Sequence, residues 1–404
     1  MFFIFGFVTW AIAVLIPYLE IACELTKPQS QLVSFAFYIS YAFMAIPSGY
    51  ILKKIGYKNS LTVGLVCMAV GALLFIPAAY QRAYWLFLCG LFLQGIGLAV
   101  LQTAANPYVT ILGPHESGAK RMSIMGVCNG VAGILGPIIL GSIVLSNADE
   151  IKTSVVTMSE VQRAATLNQL AQKVIMPYII IAVVLVVISF LIYNSSLPEV
   201  NEEDDDAANK ISTYSNGKNS ILQFPHLLLG VFTLFIYVGV EAIAGNTIIG
   251  YGEFQHIKLD TAKFFTSLTI FCMMIGYGIG IIGIPKYFSQ EQSLKISAFL
   301  GIFFVLMAMI TNGITSVLFI ALLGLANSLM WPAIWPLAIA DLGKFTKIGS
   351  ALLVMAIAGG GVLPWVHAQL GEFVNTKNAY WMVVPCYLII AYYAFYGHKI
   401  RVKT

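Results

Sequence analysis

The chain has 404 residues, of which 59% are hydrophobic and only 10% charged, with a formal net charge of +4 and a mean hydropathy of +0.85. Soluble globular chains carry about 25% charged residues, so this composition excludes an ordinary water-soluble domain and calls for lipid as solvent. In lipid only helices and closed barrels satisfy every backbone group, and long apolar runs rather than short alternating ones select helices.

Spans of roughly 20 residues are predicted at 2–23, 30–52, 60–79, 84–112, 122–145 and 172–194. A second set falls at 223–250, 262–284, 294–311, 315–341, 349–372 and 379–397. The expected fold is therefore all-α and membrane-embedded, with twelve transmembrane helices divided into residues 1–196 and 223–404. With both ends placed in the cytoplasm, 14 Lys and Arg lie inside and 8 outside, three of the eight on one long external loop. The positive-inside bias thus predicts cytoplasmic termini.

The first helix contains Gly6, Trp10 and Pro17, and the basic stretch Lys53–Lys58 reads as a short loop after the second. Gly64, Gly71, Gly90, Gly95 and Gly97 are spaced for close helix contact. In the fourth helix Gln102 and Asn106 stand at i and i+4, one polar face at bilayer depth. Pro107 frees the carbonyl of Thr103, so a bend is expected there. Residue chemistry leaves two readings of this face open: amides gluing helices together, or a binding surface. The fifth helix carries Asn129 among Gly130, Gly133 and Gly136, which fits either a cavity or a bond to an exposed carbonyl.

Residues 146–171 form the long external loop, amphipathic at about 158–171. The segment 197–222 is the one acidic, weakly hydrophobic stretch, with Glu199, Glu202, Glu203, Asp204, Asp205 and Asp206. It reads as a solvated cytoplasmic linker with no metal role. In the seventh helix Glu241 is a carboxylate inside an apolar run, a functional candidate by default, and Asn246 follows five residues on. In the tenth, Asn327, Trp331 and Trp335 share a face at i, i+4 and i+8. Flat aromatics stack on the C–H faces of pyranose rings while amides bond the hydroxyls. An interfacial tryptophan belt is the alternative, and Pro332 and Pro336 beside these residues argue against it. His367 and Gln369 are weaker candidates in the eleventh helix. The halves echo each other: Trp331–Pro336 stands where Gln102–Pro107 stands, and Gly359-Gly360-Gly361-x-x-Pro364 echoes Gly133-x-x-Gly136-Pro137. Such repetition fits a transporter with a midplane site. The six cysteines are scattered among apolar residues and read as small buried hydrophobes, without disulfide or metal spacing.

Thr103-Ala104-Ala105-Asn106-Pro107-Tyr108-Val109-Thr110, preceded by Gln102 and followed by Leu112-Gly113-Pro114, resembles the fourth helix of the fucose–galactose–glucose:proton symporters. That family is a branch of the major facilitator superfamily, and the likeness extends over nearly the whole chain. The resemblance implies two pseudo-symmetric six-helix bundles rocking around a central hexose site, in a bacterial inner membrane. It implies substrate contacts from Gln102, Asn106, Asn129, Glu241, Asn327 and Trp331, with Asn246 and Trp335 beside them. Glucose or galactose is favoured because Gln102 replaces the Glu typical of the fucose carrier, with L-fucose as the alternative. The family usually carries an Asn-Asp pair before Leu15-Ile16-Pro17, the Asp being a proton carrier, and here those positions are Ile12 and Ala13. Asn246 likewise stands where the closest branch has Asp. Alanine and amides cannot titrate, so Glu241 is left as the coupling candidate. Proton coupling is expected to be weak or absent, with sodium symport and uncoupled uniport both open. No nucleophile–base pair or metal motif appears, so an enzyme is not expected, nor any cofactor, metal or nucleic-acid partner. A non-transporting sugar sensor would want a signalling domain beyond the twelve helices.

Overall fold

The computed structural model describes residues 1–111, 118–196, 220–284, 286–342 and 345–402, with side chains at all of these except 106–111, 118–124, 347, 401 and 402. Among the described residues there is no strand. The first half comprises α1 (Phe2–Ala22), α2 (Lys27–Leu73), α3 (Phe75–Gln81), α4 (Tyr84–Ile111), α5 (Gly118–Val144), α6 (Ala148–Ser154), α7 (Glu160–Gln172) and α8 (Ile175–Tyr193). The second begins with α9 (Pro225–Asn246), α10 (Ile248–Phe254), α11 (Leu259–Ala262), α12 (Phe265–Gly283) and α13 (Gln290–Ile310). It continues through α14 (Gly313–Asn327), α15 (Met330–Ile339), α16 (Thr346–Met355), α17 (Gly359–Phe373), α18 (Thr376–Ala379) and α19 (Val383–Phe395).

Among the described residues, 11 helical stretches are long and apolar enough to cross a membrane, and one of them, Lys27–Gln81, runs for 55 residues. At 1.5 Å per residue that is far more than a hydrocarbon core of about 30 Å requires, so it makes two crossings and the total is twelve. The two legs fold back to lie on the same helix: Gly95 of α4 faces Phe37 and Ser40 of the first, while Gly97 faces Gly64 and Met68 of the second. They meet at Gly56, whose φ of 78° and ψ of 175° suit glycine alone. Lys53–Lys58, expected as a loop, is thus a kink inside a helical run. Proximity in sequence lets the backbone turn at one residue, which periodicity cannot reveal.

Packing repeats with an offset of six crossings. In the first half crossings 1 and 5, 2 and 4, and 3 and 6 pair; in the second, 7 and 11, 8 and 10, and 9 and 12 do so. Between halves, crossing 2 lies on 11, crossing 5 on 8, and crossing 1 on 7. The two six-helix bundles and their pseudo-symmetry follow from this pattern. Glycine sets close approaches in the equivalent pairs 1–5 and 7–11, though on opposite members: a Cβ on Gly6 would lie 2.0 Å from the Asn129 carbonyl, and one on Gly359 would lie 1.9 Å from that of Phe235. Gly359→Ala should therefore destabilise the protein by about 1–3 kcal/mol, the usual cost of overpacking. Thermal unfolding in detergent measures this, and an unchanged melting temperature would mean that the two helices separate freely.

The outer face is apolar. Along α8, Met176, Ile180, Val183, Val187, Phe190 and Leu191 are all exposed, the surface a helix presents to lipid rather than to water. The cysteines do not behave alike: Cys272 and Cys386 are buried as expected, whereas Cys89 and Cys128 are exposed.

Candidate functional site

Crossings 7, 10 and 11 are each interrupted. Crossing 7 stops at Asn246, bends at Thr247 and resumes as α10. Crossing 10 stops at Asn327 and resumes at Met330, because Pro332 has no N–H to give the carbonyl of Ser328. Crossing 11 passes through the 3-10 turn Ala356–Ala358 between α16 and α17. An interruption frees backbone groups that lipid cannot satisfy, so it survives only where protein or water supplies partners.

Two of these interruptions end on a buried amide. Asn327 accepts the Tyr387 hydroxyl at Oδ1, 2.8 Å away, while its Nδ2 has no partner. Asn246 donates from Nδ2 to Ser34 Oγ at 3.3 Å, Ser34 donates to the Gly360 carbonyl at 3.1 Å, and Asn246 Oδ1 has no partner. An unmade bond at a buried polar atom costs about 1–3 kcal/mol, which the hydroxyls of a polar ligand would recover.

Glu241 lies one turn before Asn246 and is half-buried. It accepts the Tyr237 hydroxyl at 2.8 Å. Tyr38, Tyr277 and Tyr387, from crossings 2, 8 and 12, stand near enough to feel its charge. Tyr387 thereby connects Glu241 with Asn327. Trp331 and Trp335 stack with ring centroids 5.3 Å apart at 27°, both half-buried. Trp10 reaches across from crossing 1, wedged between Gly133 and Gly245 and packed on Ile270 and Met273, with Tyr277 at its edge.

The structure therefore gathers Glu241, Asn246 and Asn327 into one tyrosine-rich cluster. Gln102 and Asn129 are half-buried, and among the described residues no hydrogen bond joins either to that cluster. The side chains of Asn106 and Pro107 lie outside the described residues. Ile12 and Ala13 are 1% and 0% exposed in the apolar core, so no polar group stands at those two positions. His367 is buried with its ring edge-on to Tyr380, whose hydroxyl bonds Thr247 at 2.7 Å. Gln369 is half-buried. Sequence reading missed Tyr38, Tyr237, Tyr277, Tyr387 and Ser34. Only Tyr237 had a visible signal, its place four residues before Glu241; the others come from crossings 2, 8 and 12. Among the described residues, no group of three His, Cys, Asp or Glu is arranged to hold a metal.

Away from this centre, a cavity of about 810 Å³ opens at the end expected to be external, with Lys27, Lys152, Glu253, His256, Asn312 and Lys377 in its wall. It marks the seam between the halves rather than the central cluster. Nearby, Glu24 pairs with Arg82 and with Arg163. Partial burial opposes ionisation of Glu24, but the two guanidinium groups outweigh it and hold the carboxyl below its ordinary range. A lowered acid stabilises the fold at neutral pH, and that contribution disappears as pH falls through its folded value.

The sequence pattern of the Major Facilitator Superfamily matches residues 1–364. The chain is 32% identical over 402 residues to the glucose/galactose transporter of Brucella abortus, covering 99% of this chain and 92% of that protein. It is 31% identical over 397 residues to the L-fucose-proton symporter of Escherichia coli, covering 96% and 90%. Its fold matches the crystal structure of the transporter FucP in the outward conformation with a TM-score of 0.71, at 29% identity, over 98% of this chain and 97% of that one. Twelve crossings, a pairing that repeats after six, and these likenesses end to end lead to one assignment: the chain belongs to the major facilitator superfamily.

Proposed function

We propose that this protein carries a hexose, glucose or galactose before L-fucose, across a bacterial inner membrane by alternating access. The site is built from Gln102, Asn106 and Asn129 of the first half and Glu241, Asn246, Asn327, Trp331 and Trp335 of the second. One observation carries the reading: buried amide atoms without partners, Asn327 Nδ2 and Asn246 Oδ1, occur in the half that also presents a stacked tryptophan pair. A pyranose offers hydroxyls to the first and flat C–H faces to the second. The names of the relatives, a glucose/galactose transporter and an L-fucose-proton symporter, support the same substrate class. Counterflow of labelled glucose, galactose and L-fucose in proteoliposomes tests it. Absence of counterflow for all three would overturn the hexose reading.

Coupling to a proton is supported by the relatives named proton symporters, against the weak coupling expected from Ala13 and Gln102. Glu241 is the group to which this reading assigns the proton. Sodium is the competing driving ion, since amide and carbonyl oxygens beside one carboxylate suit a hard cation.

Both termini face the cytoplasm in this reading, with residues 197–222 as a polar linker between the bundles. Few contacts cross such a linker. Residues 1–196 and 223–404, expressed as separate chains, should therefore assemble into a transporting complex. If the two pieces do not co-purify, the linker is part of the packed fold.

A further inference from the structure

The segment between crossings 5 and 6 folds as two short helices, α6 and α7, and its attachments are unequal. Its far end is fixed to its own half. Tyr18 donates to the carbonyls of Leu170 and Ala171 at 3.0 and 2.7 Å, Lys173 donates to that of Ser146 at 2.6 Å, and Arg163 pairs with Glu24. The near end reaches over to the second half. The Asp149 carboxylate accepts the backbone N–H groups of Leu259 and Asp260 at 3.1 and 3.2 Å, capping the start of α11. One turn along, on the same face, Lys152 pairs with Glu253 at the end of α10. Outside the arm, Lys27 at the start of α2 adds a further bond between the halves, to Thr376 Oγ1 at 3.3 Å. The arm thus holds the outer ends of crossings 7 and 8, between the interruption at Thr247 and the start of α12.

We propose that residues 145–173 are a latch: an arm mounted on the first half whose Asp149 and Lys152 keep the external end closed while the central site faces the other way. The inference rests on alternating access and on cytoplasmic termini. Bonds between two rocking bundles at one end cannot survive the opening of that end, so they exist in one state only. Contacts present in a single state shift the equilibrium by their whole strength. The two bonds differ in kind. Asp149 binds backbone, so no change at Leu259 or Asp260 replaces it, whereas the exposed Lys152–Glu253 pair is a plain charge contact that a swap restores. Charge-assisted bonds to two amides outweigh an exposed ion pair, so Asp149 dominates.

The test uses a cysteine-free background with one reporter cysteine at Ile249, which is fully buried in α10, and a membrane-impermeant maleimide on sealed vesicles. Asp149→Ala should raise external labelling about fivefold or more, the lower end of the usual range of coupling between sites. Lys152→Glu should raise it less, and Lys152→Glu with Glu253→Lys should bring it back. Unchanged labelling in Asp149→Ala, or labelling only from the cytoplasmic face, would overturn the latch. A second arm pairs Asp149→Cys with Asp260→Cys, neighbours across the seam through the Asp260 N–H and the Asp149 carboxylate. Oxidation should stop sugar counterflow and reduction restore it. Failure to cross-link, or full counterflow in the cross-linked protein, would overturn the proposal. Labelling needs no sugar, so it stands even where the hexose reading fails.

Discussion

Glu241→Gln should abolish accumulation of labelled sugar under an inward pH gradient while leaving sugar counterflow near the unaltered rate. Symport needs a group that gains and loses a proton as the site changes the side it faces. Ile12 and Ala13 are apolar and buried, and Gln102 and Asn246 are amides that do not titrate. Glu241 is the carboxylate within the central cluster, held by Tyr237 and in electrostatic reach of three more tyrosines. Glutamine keeps the size of the side chain and an oxygen for Tyr237 but cannot release a proton, so exchange persists and only coupling is lost. Accumulation that persists in Glu241→Gln would place the carrier elsewhere. Counterflow without pH-driven uptake in the unaltered protein would mean an uncoupled or sodium-driven carrier, and a sodium gradient applied to the same vesicles separates those two.

Trp331→Ala and Asn106→Ala should each weaken sugar binding by about 1–3 kcal/mol, roughly tenfold or more, without unfolding the protein. They occupy repeat-related crossings, 10 and 4, so together they probe both walls of the proposed site. Removing the Trp331 ring also strips Trp335 of its stacked neighbour, and the apolar wall against a sugar ring is lost. Calorimetry with glucose and galactose, beside a thermal unfolding control, reads the effect. Unchanged affinity in both variants would put the sugar elsewhere. A loss confined to Trp331→Ala would remove the fourth crossing from the site.

Much of the central cluster could be read from single residues, since a carboxylate or amide inside an apolar run costs too much to be incidental. Glu241, Asn246 and Asn327 were identified in that way and lie together. Gln102 and Asn129 were identified by the same rule and are half-buried, with no hydrogen bond to the cluster among the described residues, since one helix face can look toward either a cavity or a neighbour. The tyrosines were invisible. An aromatic in an apolar helix looks like ordinary packing until three other helices bring tyrosines within electrostatic reach of the same carboxylate.

What the sequence by itself determined is the set of crossings, their grouping by six, and the polar residues that apolar surroundings make conspicuous. Each follows from local transfer energies, which need only a window of about 20 residues. Tertiary structure alone decided the rest: the fold-back at Gly56, the burial that leaves one atom each of the Asn246 and Asn327 amides without a partner, the wedge of Trp10 between Gly133 and Gly245, and the arm that carries Asp149 to α11. These depend on contacts between residues far apart in the chain, Asp149 and Leu259 being 110 positions apart. Such contacts are set by how whole helices pack, and packing leaves no periodic mark on the residues that meet.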